Sequence, residues 1–430
     1  MNIHIVQPGD TIYTIANSYG VEPERLSIEN DIADPNELII GETLIIIKPS
    51  QTYIVQEGDS IESIALAQGV GIMELLRNNP NISNRELNEG EELVISYADS
   101  KAATIKTNGF AYPFIDRDTL IKTLPYLTYL TIYSYQFRLD GSLINVDDAD
   151  ILQLAKDYDV APIMFMDAEN DGNKLNTDIV HTFVTNIDIQ NTFIENILNM
   201  LHYKGYYGIN IDTPYVQPGD SEGYVDFIAN VTERLNNEGF IVMVTIAPSA
   251  FEVSTGIIYS GIDYIGLSSA ANNVLYQLTY AWRYPYTLPI SVIPAEAVLG
   301  TLANTATLIP PNKCMVGISN IGYLWEFPYF SAITIANFLN YHSAIELAKY
   351  TGSMIEFNET TLSAYFRYIE SEHEYMAWFK DNRVIYPFIA YSQEYGFQGI
   401  SIWNIMYFIT STWLMINAQY MIEKINIEVR

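Results

Sequence analysis

The sequence is poor in cysteine and in basic residues, and both shortages limit what the protein can be. Cys314 is the single cysteine among 430 residues, so an intrachain disulfide is excluded, and its apolar neighbours indicate a buried thiol. Lysine and arginine number 21 against 51 aspartates and glutamates, which gives a formal net charge of −30. So acidic a chain is not expected to bind nucleic acid or an anionic membrane surface.

Clustered histidines and long apolar runs are also missing. The 5 histidines are scattered without the spacing of metal ligands, so we predict no metal and no cofactor. The uncharged stretch 395–422 is interrupted by Gly396, Gly399 and several polar residues, which argues against a membrane span. The first residues contain neither a basic segment nor a long apolar core, so we expect no signal peptide.

The first hundred residues contain an internal repeat. Val6-Gln7-Pro8-Gly9-Asp10-Thr11-Ile12 corresponds to Val55-Gln56-Glu57-Gly58-Asp59-Ser60-Ile61 at an offset of 58 − 9 = 49 residues, and the same offset relates Asn30 to Asn79. Each copy is predicted to form a strand, two helices and a second strand. The Gly-Asp-Thr/Ser segment suits the start of the first helix, where its side chains satisfy free amides.

This repeat resembles the LysM module over about residues 2–97, with boundaries predicted at 1–49 and 50–97. The resemblance implies a shallow groove for N-acetylglucosamine-containing glycans, built from the Gly-Asp-Thr loop and the loop before the second strand. The groove positions that it implies are Gly9, Asp10, Thr11, Ile12, Asn30, Gly58, Asp59, Ser60, Ile61 and Asn79. The alternative is that the glycines and aspartates serve only as helix caps.

Residues 98–110 lack periodicity and are predicted to be a linker, and 111–430 a single barrel domain. Strand and helix patterns alternate there, which predicts an α/β fold of the (β/α)8 TIM type. The candidate strands are 129–135, 161–166, 207–212, 240–246, 264–268, 290–293, 315–318 and 399–403. A small α+β insertion is predicted at about 322–381.

One candidate strand contains the residues suited to catalysis. Asn210 and Asp212 are two residues apart near its carboxyl end, which is where α/β barrels place catalytic groups. The stretch resembles the signature D-x-x-D/N-x-D-x-E of family 18 glycoside hydrolases. In that family the Asp holds the substrate's acetamido group and the Glu protonates the glycosidic oxygen, so the resemblance implies the first role for Asp212. Pro214 occupies the acid position and Tyr207 that of the first Asp. Pairing with buried backbone is the alternative role for Asp212.

Other family positions are affected as well. The segment 263–271 is aligned with a strand that ends Met-Thr-Tyr-Asp in the family, which places Ala270 and Ala271 at the Tyr and Asp. The resemblance implies a sugar subsite with Trp403 as its floor and Tyr215 and Tyr133 beside it. Four carboxylates are candidates for a replacement acid. The alternative is that each of them is an ordinary exposed loop carboxylate. They are Asp167, Glu169, Asp220 and Glu222.

Over nearly its whole length the chain resembles the cortical fragment-lytic enzymes of bacterial spores. We interpret it as a spore-envelope protein, assembled from the mother-cell cytoplasm onto the coat, cortex surface or exosporium. Its LysM modules would bind peptidoglycan or another glycan of the chitin type, its barrel would be catalytically inactive, and other envelope proteins would be further partners. The alternatives are an active N-acetylglucosaminidase that cleaves cortex fragments by substrate-assisted retaining catalysis, and a structural protein without glycan affinity.

Overall fold

The computed structural model describes residues 1–97, 101–168, 177–213, 216–246, 250–253, 256–277, 295–330 and 334–426. Two small βααβ modules come first, each closed by an antiparallel strand pair. Their elements are β1 (Asn2–Ile5), α1 (Ile12–Tyr19), α2 (Pro23–Glu29), β2 (Thr43–Ile46), β3 (Gln51–Ile54), α3 (Ile61–Gln68), α4 (Ile72–Asn78) and β4 (Glu92–Ser96). Thr11 and Ser60 begin α1 and α3 with reciprocal capping boxes, as the repeat predicts.

The chain then alternates strands and helices. The strands up to residue 277 are β5 (Ala103–Ala111), β6 (Tyr129–Phe137), β7 (Leu143–Ile144), β8 (Ala161–Ala168), β9 (Gly208–Asp212), β10 (Ile241–Ile246), β11 (Ala250–Val253), β12 (Gly256–Tyr259) and β13 (Asn273–Gln277). The helices up to residue 308 are α5 (Arg117–Thr123), α6 (Ala149–Asp157), α7 (Thr177–Thr185), α8 (Ile187–Lys204), α9 (Ser221–Asn237), α10 (Tyr264–Ala270) and α11 (Ala295–Leu308).

The remaining elements complete the barrel and form the insertion. They are β14 (Cys314–Ser319), β15 (Gly322–Phe327), β16 (Asn337–Leu339), α12 (Tyr341–Thr351), β17 (Glu356–Asn358), β18 (Ser363–Glu370), β19 (His373–Phe379), α13 (Asn382–Glu394), β20 (Gly399–Trp403), α14 (Thr410–Gln419) and β21 (Tyr420–Ile422). Strands β15 to β19 form a five-stranded antiparallel sheet. Together with α12, this sheet is the α+β insertion predicted between the seventh and eighth barrel strands.

Eight parallel strands close into a barrel. Their order is β5, β6, β8, β9, β10, β13, β14 and β20, and β20 pairs again with β5. Successive residues of each strand point to opposite sides. Ile209 and Ile211 therefore pack outward beneath the helices, while Phe165, Met243 and Leu275 fill the interior. The predicted TIM-type fold is confirmed.

Two barrel strands differ from the prediction. Residues 103–110 are not a linker, because β5 occupies Ala103–Ala111 and pairs with both β6 and β20. Residues 264–268 are not a strand but part of helix α10, which Asp263 caps by accepting a hydrogen bond from the Gly266 amide at 2.9 Å. The sixth barrel strand is β13, and the predicted strand 290–293 lies outside the described residues.

The modules pack against the barrel through helix α14. Arg77 of the second module donates from Nε to Asn417 Oδ1 at 3.2 Å, and Asn417 donates to Asn78 Oδ1 at 2.7 Å. Ile45 and Leu414 are buried in the same apolar cluster. The uncharged stretch near the C-terminus thus forms β20, α14 and β21. Across the described ranges, no helix combines the length and the apolar character needed to cross a bilayer.

Two buried glutamates of the first module make the stability of the protein depend on pH. Burial raises the pKa of Glu29 from 4.5 to about 7, although the Tyr97 hydroxyl opposes the shift. Burial likewise raises the pKa of Glu42 from 4.5 to about 7, against the effect of the Ile39 amide. Because both pKa values are raised in the folded state, their contribution to stability is complete below pH 4.5 and is lost as the pH rises through about 7.

We therefore expect Glu29→Gln, which cannot ionise, to reduce the loss of stability on going from pH 4.5 to pH 8. Relative to the wild type, the loss should be smaller by about 3 kcal/mol, measured by urea unfolding across this pH range. Glu24→Gln on the exposed face of the same helix is the matched control and should leave the pH dependence unchanged. Equal pH profiles for wild type and Glu29→Gln would contradict the assignment.

Candidate functional site

Three polar side chains lie in one row across neighbouring strands at the carboxyl ends of the barrel. Asp212 on β9 is directly opposite Asp167 on β8 and Thr245 on β10. Each residue follows an interior residue by two positions, so all three side chains point into the barrel. All three are buried. Adjacent strands are about 4.8 Å apart, which brings the two carboxyl groups side by side.

Asn210 lies one layer below this row. Asn210 Nδ2 donates to Thr245 Oγ1 at 2.9 Å, and Thr245 Oγ1 lies 3.1 Å from Asn210 Oδ1. The amide therefore holds Thr245 in position rather than facing the mouth of the barrel. Asn210 and Asp212 are both fully buried on the strand predicted to contain them. Pro214 and Tyr215, which follow, lie outside the described residues.

Gln277 adds a polar side chain on the next strand, two residues beyond Leu275, which is the residue opposite Thr245. It is buried at the end of β13, and its side chain lies across Gly317 of β14. A Cβ added at Gly317 would approach Gln277 Oε1 to 2.2 Å, so the glycine makes room for the amide. The polar mouth thus spans four consecutive strands. Sequence reasoning missed Thr245 and Gln277, although the alternation of their strands points both of them inward.

The replacement-acid candidates lie in different places. Asp167 belongs to the polar row rather than to a loop. Asp220 is buried, and its Oδ1 lies 2.9 Å from His181 Nδ1. Glu222 is exposed on α9, and Glu169 lies outside the described residues. Among the described candidates, only Asp167 is directly opposite Asp212.

A ladder of aromatic rings leads from the barrel interior to the solvent. The rings of Trp403 and Tyr133 are 5.1 Å apart, and Tyr133 meets Tyr112 edge to face at 4.8 Å. Tyr112 stacks on Phe114 at 5.2 Å, and Phe114 is 74% exposed. Phe110 also contacts Trp403, at 5.0 Å.

The ladder corrects the predicted sugar floor. Trp403 is only 3% exposed because neighbouring rings cover it, so in this conformation it offers no open face to a sugar. The open rings are those of Phe114 and, in part, Tyr112 and Tyr133. Phe114 and Tyr112 went unnoticed because the strand that positions them had been interpreted as a linker.

The alignment of the sixth strand is also corrected. Ala270 ends helix α10 and Ala271 follows it, so neither lies at the carboxyl end of a barrel strand. With β13 as the sixth strand, the family's Met-Thr-Tyr-Asp ending falls on Leu278-Thr279-Tyr280-Ala281, outside the described residues. In sequence, Thr279-Tyr280 matches the Thr-Tyr of that ending, and Ala281 does not match its Asp.

The two modules hold their Gly-Asp loops in the same way. Asp10 Oδ2 accepts from the Gln7 amide at 2.7 Å and lies 3.0 Å from His4 Nε2. The Gln7 amide and His4 hold the pKa of Asp10 below its ordinary value. Asp59 Oδ2 accepts from the Gln56 amide and the Tyr53 hydroxyl, each at 2.8 Å. Gly9 and Gly58 adopt φ of 92° and 84°, a left-handed conformation that favours glycine.

Three of the predicted groove residues are internal. Ile12 is buried in the core of the first module. Asn30 is 4% exposed and bonds the backbone of Leu26 and Ile45, and Asn79 is 6% exposed with the equivalent bonds in the second module. These side chains hold the module together and cannot contact a glycan. The remaining groove candidates are exposed or half-buried, namely Gly9, Asp10, Thr11, Gly58, Asp59, Ser60 and Ile61.

No ligand set for a metal ion is found among the described residues. Every polar group in the row at the barrel mouth is a carboxyl, hydroxyl or amide. These groups are uncharged or acidic and buried, and exposed aromatic faces lie at the edge of the mouth. Burial raises the pKa of Tyr224, and the nearby Asp212 carboxylate adds to the shift while Thr213 opposes it.

Comparison with known proteins identifies the family. The model of glycosyl hydrolases family 18 matches residues 172–407, and that of the LysM domain matches 4–46 and 53–96. The cortical fragment-lytic enzyme of Bacillus subtilis (strain 168) is 32% identical over 432 residues, which cover 99% of each chain. The putative sporulation-specific glycosylase YdhD of the same organism is 26% identical over 96% of this chain and 98% of its own.

A solved structure agrees over the whole chain. The spore cortex-lytic enzyme SleL of Bacillus megaterium QM B1551 superposes with a TM-score of 0.80 at 26% identity, covering 98% of both chains. This agreement includes the modules, the barrel and the insertion. The chain therefore belongs to glycosyl hydrolase family 18 and carries two LysM domains ahead of its barrel.

Proposed function

We propose that this protein binds N-acetylglucosamine-containing glycan of the bacterial spore without cleaving it. The observation that carries the proposal is the signature strand, where Asp212 faces the barrel interior and Pro214 stands two residues later at the position of the family's acid. Proline has no proton to donate to a leaving oxygen. A family 18 barrel without that group loses the protonation step.

Glycan binding is supported by the LysM domains and by the chemistry of the barrel mouth. A net charge of −30 disfavours anionic ligands, whereas neutral sugars carry no such penalty. At the barrel mouth, the exposed ring of Phe114 offers a flat face to a sugar. Relatives named for cortical fragments and for sporulation support cortex peptidoglycan as the glycan. They also support a place in the spore, and we infer the cortex surface, coat or exosporium as its layer.

A cleft between the modules and the barrel supports a shared ligand path. It has a volume of about 530 Å³ and is lined by Asp31, Asn81, Asp116 and Tyr407 among others. Asp116 belongs to the same loop as Phe114, between β5 and α5. Asp116 thus connects the cleft to the loop that carries the exposed ring of the ladder. Two binding regions on one polymer raise the effective concentration of each for the other.

The second candidate function is slow hydrolysis with Asp167 as the acid. The observation that favours it is the placement of Asp167 opposite Asp212, because adjacent carboxyl groups can share one proton. The presence of Tyr280 at the family's Tyr position also favours it. In this scheme Asp167 gives its proton to the glycosidic oxygen while Asp212 orients the acetamido group.

We expect the wild-type protein to release no soluble product from spore cortex fragments or N-acetylglucosamine oligomers. Loss of a general acid costs about 10²–10⁴-fold in rate, which would place turnover below detection by mass spectrometry of the products. Any turnover that does occur should be tested with Asp167→Asn, and Glu222→Gln on exposed α9 is the matched control. Turnover abolished by the first change and kept by the second would establish the hydrolytic alternative instead.

We also expect Phe114→Ala to weaken the binding of N-acetylglucosamine oligomers. Loss of an aromatic contact worth about 0.5–1.5 kcal/mol corresponds to about a 2- to 12-fold higher Kd, measured by isothermal titration calorimetry. Tyr203→Ala is the matched control, because Tyr203 is 85% exposed near the end of α8 that precedes β9, on the opposite face of the barrel. An unchanged Kd for Phe114→Ala would show that the ladder is not part of the binding surface.

A further inference from the structure

We propose that the two LysM domains have different functions: the second binds glycan, whereas the first anchors the pair to the barrel's insertion. This inference rests on the proposed glycan binding and assigns it to one of two similar domains. It comes from comparing equivalent positions, which the offset of 49 residues identifies. The comparison concerns the loop before the second strand of each domain, at 37–42 in the first domain and 86–91 in the second.

The two loops differ in polarity. Ile39-Ile40 of the first domain corresponds to Asn88-Glu89 of the second. Ile39 is 8% exposed, whereas Asn88 and Glu89 are both exposed. An apolar pair on a surface loop indicates a covered surface, and a polar pair in the same place indicates an open one.

The insertion covers the first loop. Ile39 belongs to an apolar cluster with Tyr341 and Ala344 of α12 and with Ile355. The Ile355 amide donates to the Ile40 carbonyl at 2.9 Å, which adds a backbone bond between the LysM domain and the insertion. Outside the cluster, Glu37 forms an ion pair with Lys349 of α12. One wall of the first groove is therefore an interface within the protein.

The equivalent glycines show the same difference. Gly41 and Gly90 both adopt a positive φ, of 87° and 83°. A Cβ added at Gly41 would lie 1.8 Å from the Ile355 carbonyl oxygen, while one at Gly90 would meet nothing within 4 Å. The Gly41 carbonyl also accepts from Arg383 Nη2 at 3.2 Å. Contact with the barrel domain is tight at the first loop and absent around Gly90.

The equivalent glutamates sit in different environments. Glu42 is buried, and burial raises its pKa to about 7. Glu91 pairs with Arg85 at 3.0 Å within its own loop, and this pairing lowers its pKa. The second loop is thus held by its own residues and needs no contact from the barrel to keep its shape.

The second domain attaches to the barrel through α4 and β4, away from its groove. Its contacts to Asn417 come from Arg77 and Asn78 in the last turn of α4. Both walls of its groove, at Gly58-Asp59-Ser60 and at Asn88-Glu89, are exposed or half-buried. An open groove with polar walls suits a neutral N-acetylated sugar chain.

Matched substitutions in the full-length protein test this assignment. Thr11→Tyr and Ser60→Tyr place the same ring in equivalent grooves and remove equivalent helix caps, so their effects on stability should match. With N-acetylglucosamine hexamer as the probe in calorimetry, Ser60→Tyr should raise Kd at least about 10-fold, and Thr11→Tyr less than about 2-fold. Asn88→Trp, which leaves the cap intact, should reproduce the loss seen with Ser60→Tyr.

The anchoring function is tested by measuring the stability of the protein. Ile39→Asp puts a charge into the interface with the insertion and should lower the unfolding midpoint by at least about 3 °C, whereas Asn88→Asp should not. Equal losses of affinity in Thr11→Tyr and Ser60→Tyr would overturn the division of functions and leave glycan binding intact. If the wild type binds and neither variant loses affinity, binding by the second domain would be overturned. No binding by the wild type would overturn the proposed function as well.

Discussion

The closure of eight parallel strands is the constraint on which the rest of the structure depends. Once β20 pairs with β5, every second residue of each strand must point into a confined interior. The carboxyl ends of the strands meet at one face, so Asp167, Asp212 and Thr245 come together although they are far apart in sequence. The same closure buries Trp403 beneath Phe110 and Tyr133 and leaves Phe114 at the edge.

The barrel also decides what the LysM domains can do. Two copies with the same fold and the same Gly-Asp loops both contact α14, but the insertion covers a loop of the first copy. In the sequence, this difference corresponds to Ile39-Ile40 in the first copy and Asn88-Glu89 at the equivalent positions of the second. A repeat therefore predicts a shared fold but not shared surroundings.

Much of the candidate site was predictable from local patterns. The signature strand placed Asn210 and Asp212 two residues apart on β9, and strand alternation implies a common face. Local patterns failed at segment 264–268, whose apolar residues suit a strand, because the Asp263 cap favours a helix. That error moved the family's Thr-Tyr pair from Thr279-Tyr280 onto the end of α10. The linker prediction likewise hid Phe110, Tyr112 and Phe114.

The sequence by itself determined the repeat, the barrel class, the family signature and the proline at the acid position, because each depends on residue identity and short-range spacing. Only the tertiary structure decided that Asn30 and Asn79 are internal, that Trp403 is covered and that Asp167 stands beside Asp212. Burial and strand register arise from contacts between distant segments. No local window of sequence contains both partners of such a contact, so the pattern within one segment cannot reveal them.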